Sequence, residues 1–482
     1  MENLNNLKPE KVFKYFKEIV AIPHCSKNEK QLSNYIVDFA KERGIKYIQD
    51  DAFNVILFKD ATAGYEKAEP IILQGHMDMV CEKVSGSCHD FAKDGLDIYV
   101  DGDFLKAKDT TLGGDNGIAV AMILALFDSD DVEHPRIEAI ITTDEETGLF
   151  GAESIDVSML KGKKLINIDS EEEGIFTVSC AGGITAIGNL PVSRKEVSGI
   201  KATLKVGGLL GGHSGMEIDK ERANASKLIA RVLTSLGEDF KFVINTLEGG
   251  SADNVITKEA VSELILLEDD YDDFSLAVSK LNDKIRHEYK AVDKNINIAV
   301  INQGKDTVNA LSKIDSYRAI SYVNLYPQGI QNMSKEIEGL IETSLNLGVI
   351  KLEESEFKTV SAIRSAVQTR SDYVAETLVN LTAVMGGKME FDGGYPGWEY
   401  MADSKLRETM IAVYKKMYSK EPEIMAIHAG LECGFFAQKI KDVDCISIGP
   451  WIYDVHTPDE KLSISSTKNT YEFLLEVLKA FK

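Results

Sequence analysis

Short apolar runs rich in β-branched residues recur in the first part of the chain: Asn54-Val-Ile-Leu-Phe58, Ile71-Ile-Leu73, Ile137-Glu-Ala-Ile-Ile-Thr142 and Leu165-Ile-Asn-Ile168. Their length and branching predict buried strands. Between them, Asn116 to Phe127 (NGIAVAMILALF) is apolar almost all round, the pattern of a helix buried against a sheet. Pro9 to Ile22 places Val12, Tyr15, Phe16, Ile19 and Val20 at helical spacing, and Gln31 to Arg43 reads as a second helix stopped by Gly44. Strands alternating with helices predict a mixed, mostly parallel sheet with helices on both faces, an α/β fold.

The texture changes from about residue 186 to 386. Alternating strands (Lys201 to Val206, Ala260 to Leu266) and long polar helices appear there, with the acidic run from Glu268 to Asp273 expected to be a solvated turn. The last stretch returns to the first texture: a helix from Ser404 to Tyr418, a strand from Cys445 to Ile448 and a helix from Ser466 to Phe481. The expected organisation is a catalytic α/β domain over 1–185 and 387–482, interrupted by an inserted α+β domain over 186–386. For 482 residues, a prior of about three domains or subdomains fits that division.

Charge narrows the function classes. Lys and Arg number 54 against 77 Asp and Glu, a net charge of −23, which disfavours nucleic acid and anionic membranes as partners. No run approaches the ~18 apolar residues of a membrane span, and Met1 to Lys8 has no basic start or apolar core of a secretory signal. The six cysteines lack paired metal-knuckle spacing and read as reduced thiols of a cytoplasmic protein.

Chemistry gathers where the strands end. Gln74-Gly-His76-Met-Asp78 closes one strand, Thr143-Asp144-Glu145-Glu146 another and Asn167-Ile-Asp169 a third. Gly113-Gly-Asp115-Asn-Gly117 opens the buried helix, and His456 follows the strand ending at Gly449-Pro450. Singly, each segment is an ordinary loop. Together they fall where open α/β sheets collect their ligands, beyond the carboxyl ends of the strands. Imidazole mixed with carboxylate suits Zn²⁺, or Mn²⁺ or Co²⁺ where oxygen ligands dominate. Acids so crowded repel one another unless a cation lies among them.

In order and spacing these motifs, with Gly211-Gly-His213-Ser-Gly215, resemble the M20 metallopeptidases. Arg364-Ser365, Tyr395-Pro-Gly-Trp398, His428-Ala-Gly430-Leu-Glu432-Cys-Gly434 and Ser447-Ile-Gly-Pro450 are similar to the branch of non-specific and aminoacyl-histidine dipeptidases. The resemblance spans nearly the whole chain, from about Asn5 to Phe481. It implies two divalent metals, zinc first, sharing Asp115, with His76 and Asp169 completing one site and Glu146 and His456 the other. It further implies Glu145 as general base and acid, and Asp78 as the partner that fixes the His76 tautomer.

The same resemblance implies that His213 in the inserted domain stabilises the oxyanion, in cis or across a homodimer formed by that domain. Asn254 and Arg364 would bind substrate from a closing lid, and His428 and Gly430, in the last part of the catalytic domain, would stand at or beside the substrate. The reaction implied is hydrolysis of dipeptides with a free amine and carboxylate, broad in side chain and including Xaa-His. An N-acyl-amino-acid deacylase, an aminotripeptidase and a non-catalytic binding homologue stand as the alternatives.

Overall fold

The computed structural model describes residues 6–267 and 270–482, and the chain divides into two compact units. The first gathers the chain up to Cys180 with Trp398–Ala426 and Leu431–Lys482; the second comprises Ala181–Gly397 with Ile427–Gly430.

In the first unit's sheet the strands Lys46–Gln49, Val55–Lys59, Ile137–Thr142, Ile71–His76, Lys164–Asn167, Asp444–Ser447 and Ile175–Cys180 lie side by side in that order. The central four run parallel, and the flanking strands join antiparallel. Every residue of Ile71–His76 and of Ile137–Thr142 is buried, so both faces of the sheet centre are covered, as parallel sheets require. The helix Gly114–Phe127 supplies part of that cover and is buried from Asn116 through Phe127. Helices Glu10–Val20, Lys30–Glu42, Lys405–Tyr418 and Ile464–Ala480 add their apolar faces to the same core. Ser404 caps its helix by accepting the N–H of Arg407.

The second unit is an antiparallel sheet with helices. Its strands follow the order Asn297–Leu311, Arg194–Gly207, Ala260–Leu266, Phe242–Gly249, Ile341–Leu352, Glu356–Ser365, Gly182–Pro191 and Lys388–Tyr395. A separate core of Leu204, Ile229, Phe274, Tyr322 and Leu347 lies between this sheet and its helices.

Two expectations are corrected. Of the acidic run, Glu268 and Asp269 lie outside the described residues, and Tyr271 to Asp273 form the first turn of the helix Tyr271–Glu288 rather than a free turn. Asp272 and Asp273 there complement the positive end of the helix dipole. The reading of all six cysteines as reduced also fails, because Cys25 and Cys81 form a disulfide. A parallel bridge between Cys25 and Met79 brings their segments together, a tertiary contact that cysteine spacing does not carry. Cys88, Cys180, Cys433 and Cys445 are free. Among the described residues no helix is long and apolar enough to cross a membrane.

Candidate metal centre

Parallel register brings the strand ends level. His76 lies opposite Thr142, and Gln74 and Ser447 both lie opposite Asn167. The loops that leave these strands therefore emerge together, and they carry Asp169, Glu145, Glu146 and the segment leading to His456. Asp115 arrives at the start of the buried helix, where Gly113 takes a left-handed φ of 67°.

The two carboxylate oxygens of Asp115 face different histidines. Oδ1 lies 3.2 Å from His76 Nε2, and Oδ2 lies 3.2 Å from His456 Nε2. His76 Nε2 is also 3.3 Å from Asp169 Oδ1, and His456 Nε2 is 3.1 Å from Glu146. Two donor sets result, His76–Asp115–Asp169 and Asp115–Glu146–His456, each with its atoms within 4.8 Å of one another. A third set, His76–Glu145–Glu146, puts Glu145 beside residues of both. All five expected ligands and Glu145 thus meet in one place.

The electrostatics fit a cation site. Burial pushes the Asp169 carboxyl up to about 6, against the opposing charge of His76. Burial likewise drives Glu145 well above the ordinary range, helped by the charges of Asp169, Glu432 and Glu146. Hydrogen bonds to Asp115 and Glu146 lift His456 to about 11. Burial would lower His76, yet the Asp169 charge and the Asp115 hydrogen bond raise it well above the usual value. The carboxylates thus hold protons on both imidazoles, and the nitrogens that hold them are those a divalent ion would take. Two imidazoles and three carboxylates converge, with His76 buried and His456 exposed, and together form the donor chemistry of Zn²⁺ and its neighbours.

Asp78 anchors the site through more than one neighbour. Its Oδ1 lies 3.3 Å from His76 Nδ1, the contact that orients a ligating imidazole. The same carboxylate accepts the N–H groups of Glu145 (3.0 Å) and Glu146 (3.2 Å) and the hydroxyl of Ser26 (2.8 Å). Consecutive residues of an extended strand point oppositely, so Glu145 and Glu146 can serve one site only if the chain turns. Asp144 supplies that turn with a φ of 48°, and Asp78 holds it.

Supporting residues surround the ligands, Asn116 and Glu432 from within the sequence motifs and Glu460 from outside them. Asn116 accepts the His76 N–H through Oδ1 and donates through Nδ2 to the Ile168 carbonyl, tying two strand ends together. Glu432 is fully buried, accepts from Gln74 and from Thr142 Oγ1 (2.8 Å), and is pushed up to about 8 by burial. Glu460 is 3% exposed and accepts a row of backbone N–H groups from the Asp115 loop. A buried Glu is rare without partners, but burial is invisible in the sequence.

The second unit collects the remaining expected residues into its own cluster. His213 sits on the short strand Gly212–His213, paired with Val255–Ile256, and the Ser214 N–H donates to the Asn254 carbonyl. His213 Nδ1 accepts the N–H groups of Gly215 and Met216 (3.2 and 3.1 Å), which leaves Nε2 as the proton-bearing nitrogen. Arg364 is buried, gives one Nη1 hydrogen bond to the Tyr395 hydroxyl (2.8 Å), and keeps a buried Nε without a protein partner. A Cβ on Gly430 would lie 2.6 Å from the Tyr395 ring, and one on Gly215 2.6 Å from the His428 carbonyl, so both positions require glycine.

His428 Nε2 lies 2.7 Å from Ser344 Oγ, and burial, with the Arg364 charge, lowers its pKa from 6.5 to about 4. The folded protein therefore binds fewer protons than the unfolded chain between those values, so this contribution is complete above pH 6.5 and disappears as pH falls to 4. At 1.36 kcal/mol per unit it amounts to about 3 kcal/mol. His428→Gln should lose that part of the acid destabilisation, measured by urea unfolding at pH 7 and pH 4.

Comparison with known proteins finds relatives over the whole chain. Residues 72–480 match the model of peptidase family M20/M25/M40. The cytosol non-specific dipeptidase of Escherichia coli (strain K12) is 37% identical over 484 residues, covering 99% of each chain. The crystal structure of aminoacylhistidine dipeptidase from Vibrio alginolyticus superposes with a TM-score of 0.95 at 36% identity, covering 99% of this chain and 98% of that one. The aminopeptidase PepT of Bacillus cereus shares the fold at a TM-score of 0.55 and 15% identity, covering 98% of this chain and 99% of that one.

Proposed function

The chain belongs to peptidase family M20/M25/M40, and from that premise we propose that it is a metal-dependent dipeptidase working through two divalent cations that share Asp115. The observation that carries this reading is the pair of Asp115 oxygens, each facing a different histidine. His76 and Asp169 would complete one ion's ligands, Glu146 and His456 the other's, with zinc the first candidate and Mn²⁺ or Co²⁺ the alternatives. When bound, such ions supply Lewis acidity and lower the pKa of a water from 15.7 towards about 7.

The chain's own groups do the rest. Glu145, placed between the two ligand sets, takes the proton of the attacking water and returns it to the departing amine nitrogen. Asp78 holds the Glu145 backbone and the His76 ring. In the second unit, the tautomer fixed at His213 leaves an Nε2–H able to donate to the carbonyl oxygen as it gains charge. The Arg364 guanidinium, with its unpartnered buried Nε, offers a donor to the free carboxylate of a dipeptide, and Asn254, His428 and Gly430 would stand beside the same substrate. The second unit would act as a lid over the substrate and as the face of a homodimer.

His213→Ala is expected to lower kcat about 10²- to 10³-fold with a far smaller change in KM, the signature of a contact made in the transition state. Steady-state kinetics on one dipeptide checks it. The decisive assay for the activity is a metal-replete panel of dipeptides, tripeptides and acetyl-amino acids. Cleavage confined to dipeptides supports the reading. Preferred cleavage of tripeptides or acetyl-amino acids overturns it in favour of an aminotripeptidase or a deacylase, and no hydrolysis with full metal content marks a binding homologue.

A further inference from the structure

We propose that Glu460 is a positioning residue that builds the Asp115 loop before any ion arrives, and so sets the affinity of the centre for its cations. The inference rests on the two-cation reading above. Glu460 Oε2 accepts the N–H of Leu112 (2.7 Å) and Gly113 (3.1 Å), and Oε1 accepts those of Gly114 (2.8 Å) and Asp115 (3.4 Å). Successive backbone N–H groups converge in this way at a helix start or where the chain reverses handedness into a concave anion nest. The left-handed Gly113 provides that reversal. A Cβ on Gly114 would stand 3.1 Å from Glu460 Oε1, and one on Gly113 2.8 Å from Met79 Sδ. Gly114 therefore leaves room for the carboxylate, and Gly113 for the Met79 side chain.

The origin of Glu460 makes it more than a helix cap. It lies in the turn between the paired strands Ile452–Tyr453 and Lys461–Ser463, and His456 lies in the same turn with a left-handed φ of 61°. The turn is closed by a Glu460 N–H to Thr457 carbonyl bond of 3.1 Å and by the Lys461–Asp454 ion pair of 2.6 Å. One short segment thus grips Asp115 twice. His456 meets its side chain at Oδ2, and Glu460 holds its backbone N–H.

The physical consequence is preorganisation. A carboxylate that must present two oxygens to two ions loses orientational freedom on binding, and a loop already fixed by four N–H bonds has that freedom removed in advance. Partners of this kind change metal affinity about 10- to 100-fold when removed. Glu460→Gln keeps the shape but replaces one acceptor oxygen with an NH₂ that faces N–H donors.

Zn²⁺ titration of the metal-free full-length protein by calorimetry is the test, with Glu460→Gln and Glu460→Asp beside the wild type. The expected result is a 10- to 100-fold weaker Kd in Glu460→Gln, a smaller loss in Glu460→Asp, which keeps the charge, and recovery of kcat at excess Zn²⁺ with KM unchanged. An unchanged Kd in folded Glu460→Gln overturns the inference. A wild type that binds no Zn²⁺ instead overturns the two-cation reading itself.

Hydrogen–deuterium exchange on metal-free wild type supplies an arm that needs no variant to fold. The amides of Leu112 to Asp115 should be protected without metal. Rapid exchange there, slowed only by Zn²⁺, means the ions and not Glu460 order the loop, and overturns the inference.

Discussion

Glu145→Gln should lower kcat by about three orders of magnitude while KM and metal content stay near those of the wild type. General acid–base groups typically contribute 10²- to 10⁴-fold, and Glu145 would serve twice, first as base and then as acid. The substitution keeps the volume and the backbone N–H that Asp78 holds at 3.0 Å, so the fold of the turn survives and only proton transfer is removed. Glu145 shares a donor set with His76 and Glu146, so metal analysis must accompany the kinetics. Loss of an ion in Glu145→Gln would reassign Glu145 as a ligand. An active Glu145→Gln with full metal would mean that another group moves the proton.

Asp115→Ala should cost more. Asp115 is the residue that faces both His76 and His456, so its removal takes a ligand from both ions at once, whereas Asp169→Ala or Glu146→Ala removes one ligand from one ion. Lewis-acid stabilisation is worth several kcal/mol, and each 1.36 kcal/mol is tenfold in rate. Activity is expected to fall by more than about 10⁴-fold. Metal content should drop from two ions towards none in Asp115→Ala, but to about one in the single-site variants. Equal metal loss across all three variants would show that Asp115 is not shared. Chelation of the wild type should reproduce the Asp115→Ala activity, and re-addition of Zn²⁺, Mn²⁺ or Co²⁺ should restore the wild type alone.

The supporting groups place these two variants in a hierarchy. Asp78 grips the turn of Glu145 and Glu146 and touches His76, while Ser26 steadies Asp78 from a segment linked to Cys81 by the Cys25 disulfide. Asn116 ties the His76 N–H to the Ile168 carbonyl. Apart from the contact between Asp78 and His76, each joins segments 40 or more residues apart, and each fixes a group that itself touches a ligand. Geometry held this way by several independent contacts tolerates little displacement, because buried polar groups that lose a partner cost free energy at once.

What the sequence determined by itself is the sheet, the buried helix and the chemical type of the site. Apolar runs of strand length, with acids and histidines directly after them, are local patterns, and strand ends are where a parallel sheet must expose its loops. His76, Asp115, Glu145, Glu146, Asp169 and His456 were therefore legible as strand-end candidates alongside Asp78 and Asp144, and the resemblance to the M20 peptidases was what gave each a role. Tertiary structure alone decided that Asp115 turns one oxygen to each histidine, that Asp78 clamps two consecutive backbone N–H groups, and that Glu460 fills the nest under the Asp115 loop. It also decided that Cys25 meets Cys81 and that Glu432 is buried beneath the sheet end. The division has a physical cause. Periodicity and strand-end placement arise from backbone geometry within a few residues, whereas burial and partnership arise from packing between segments tens to hundreds of residues apart, which leaves no mark on the spacing of any one of them.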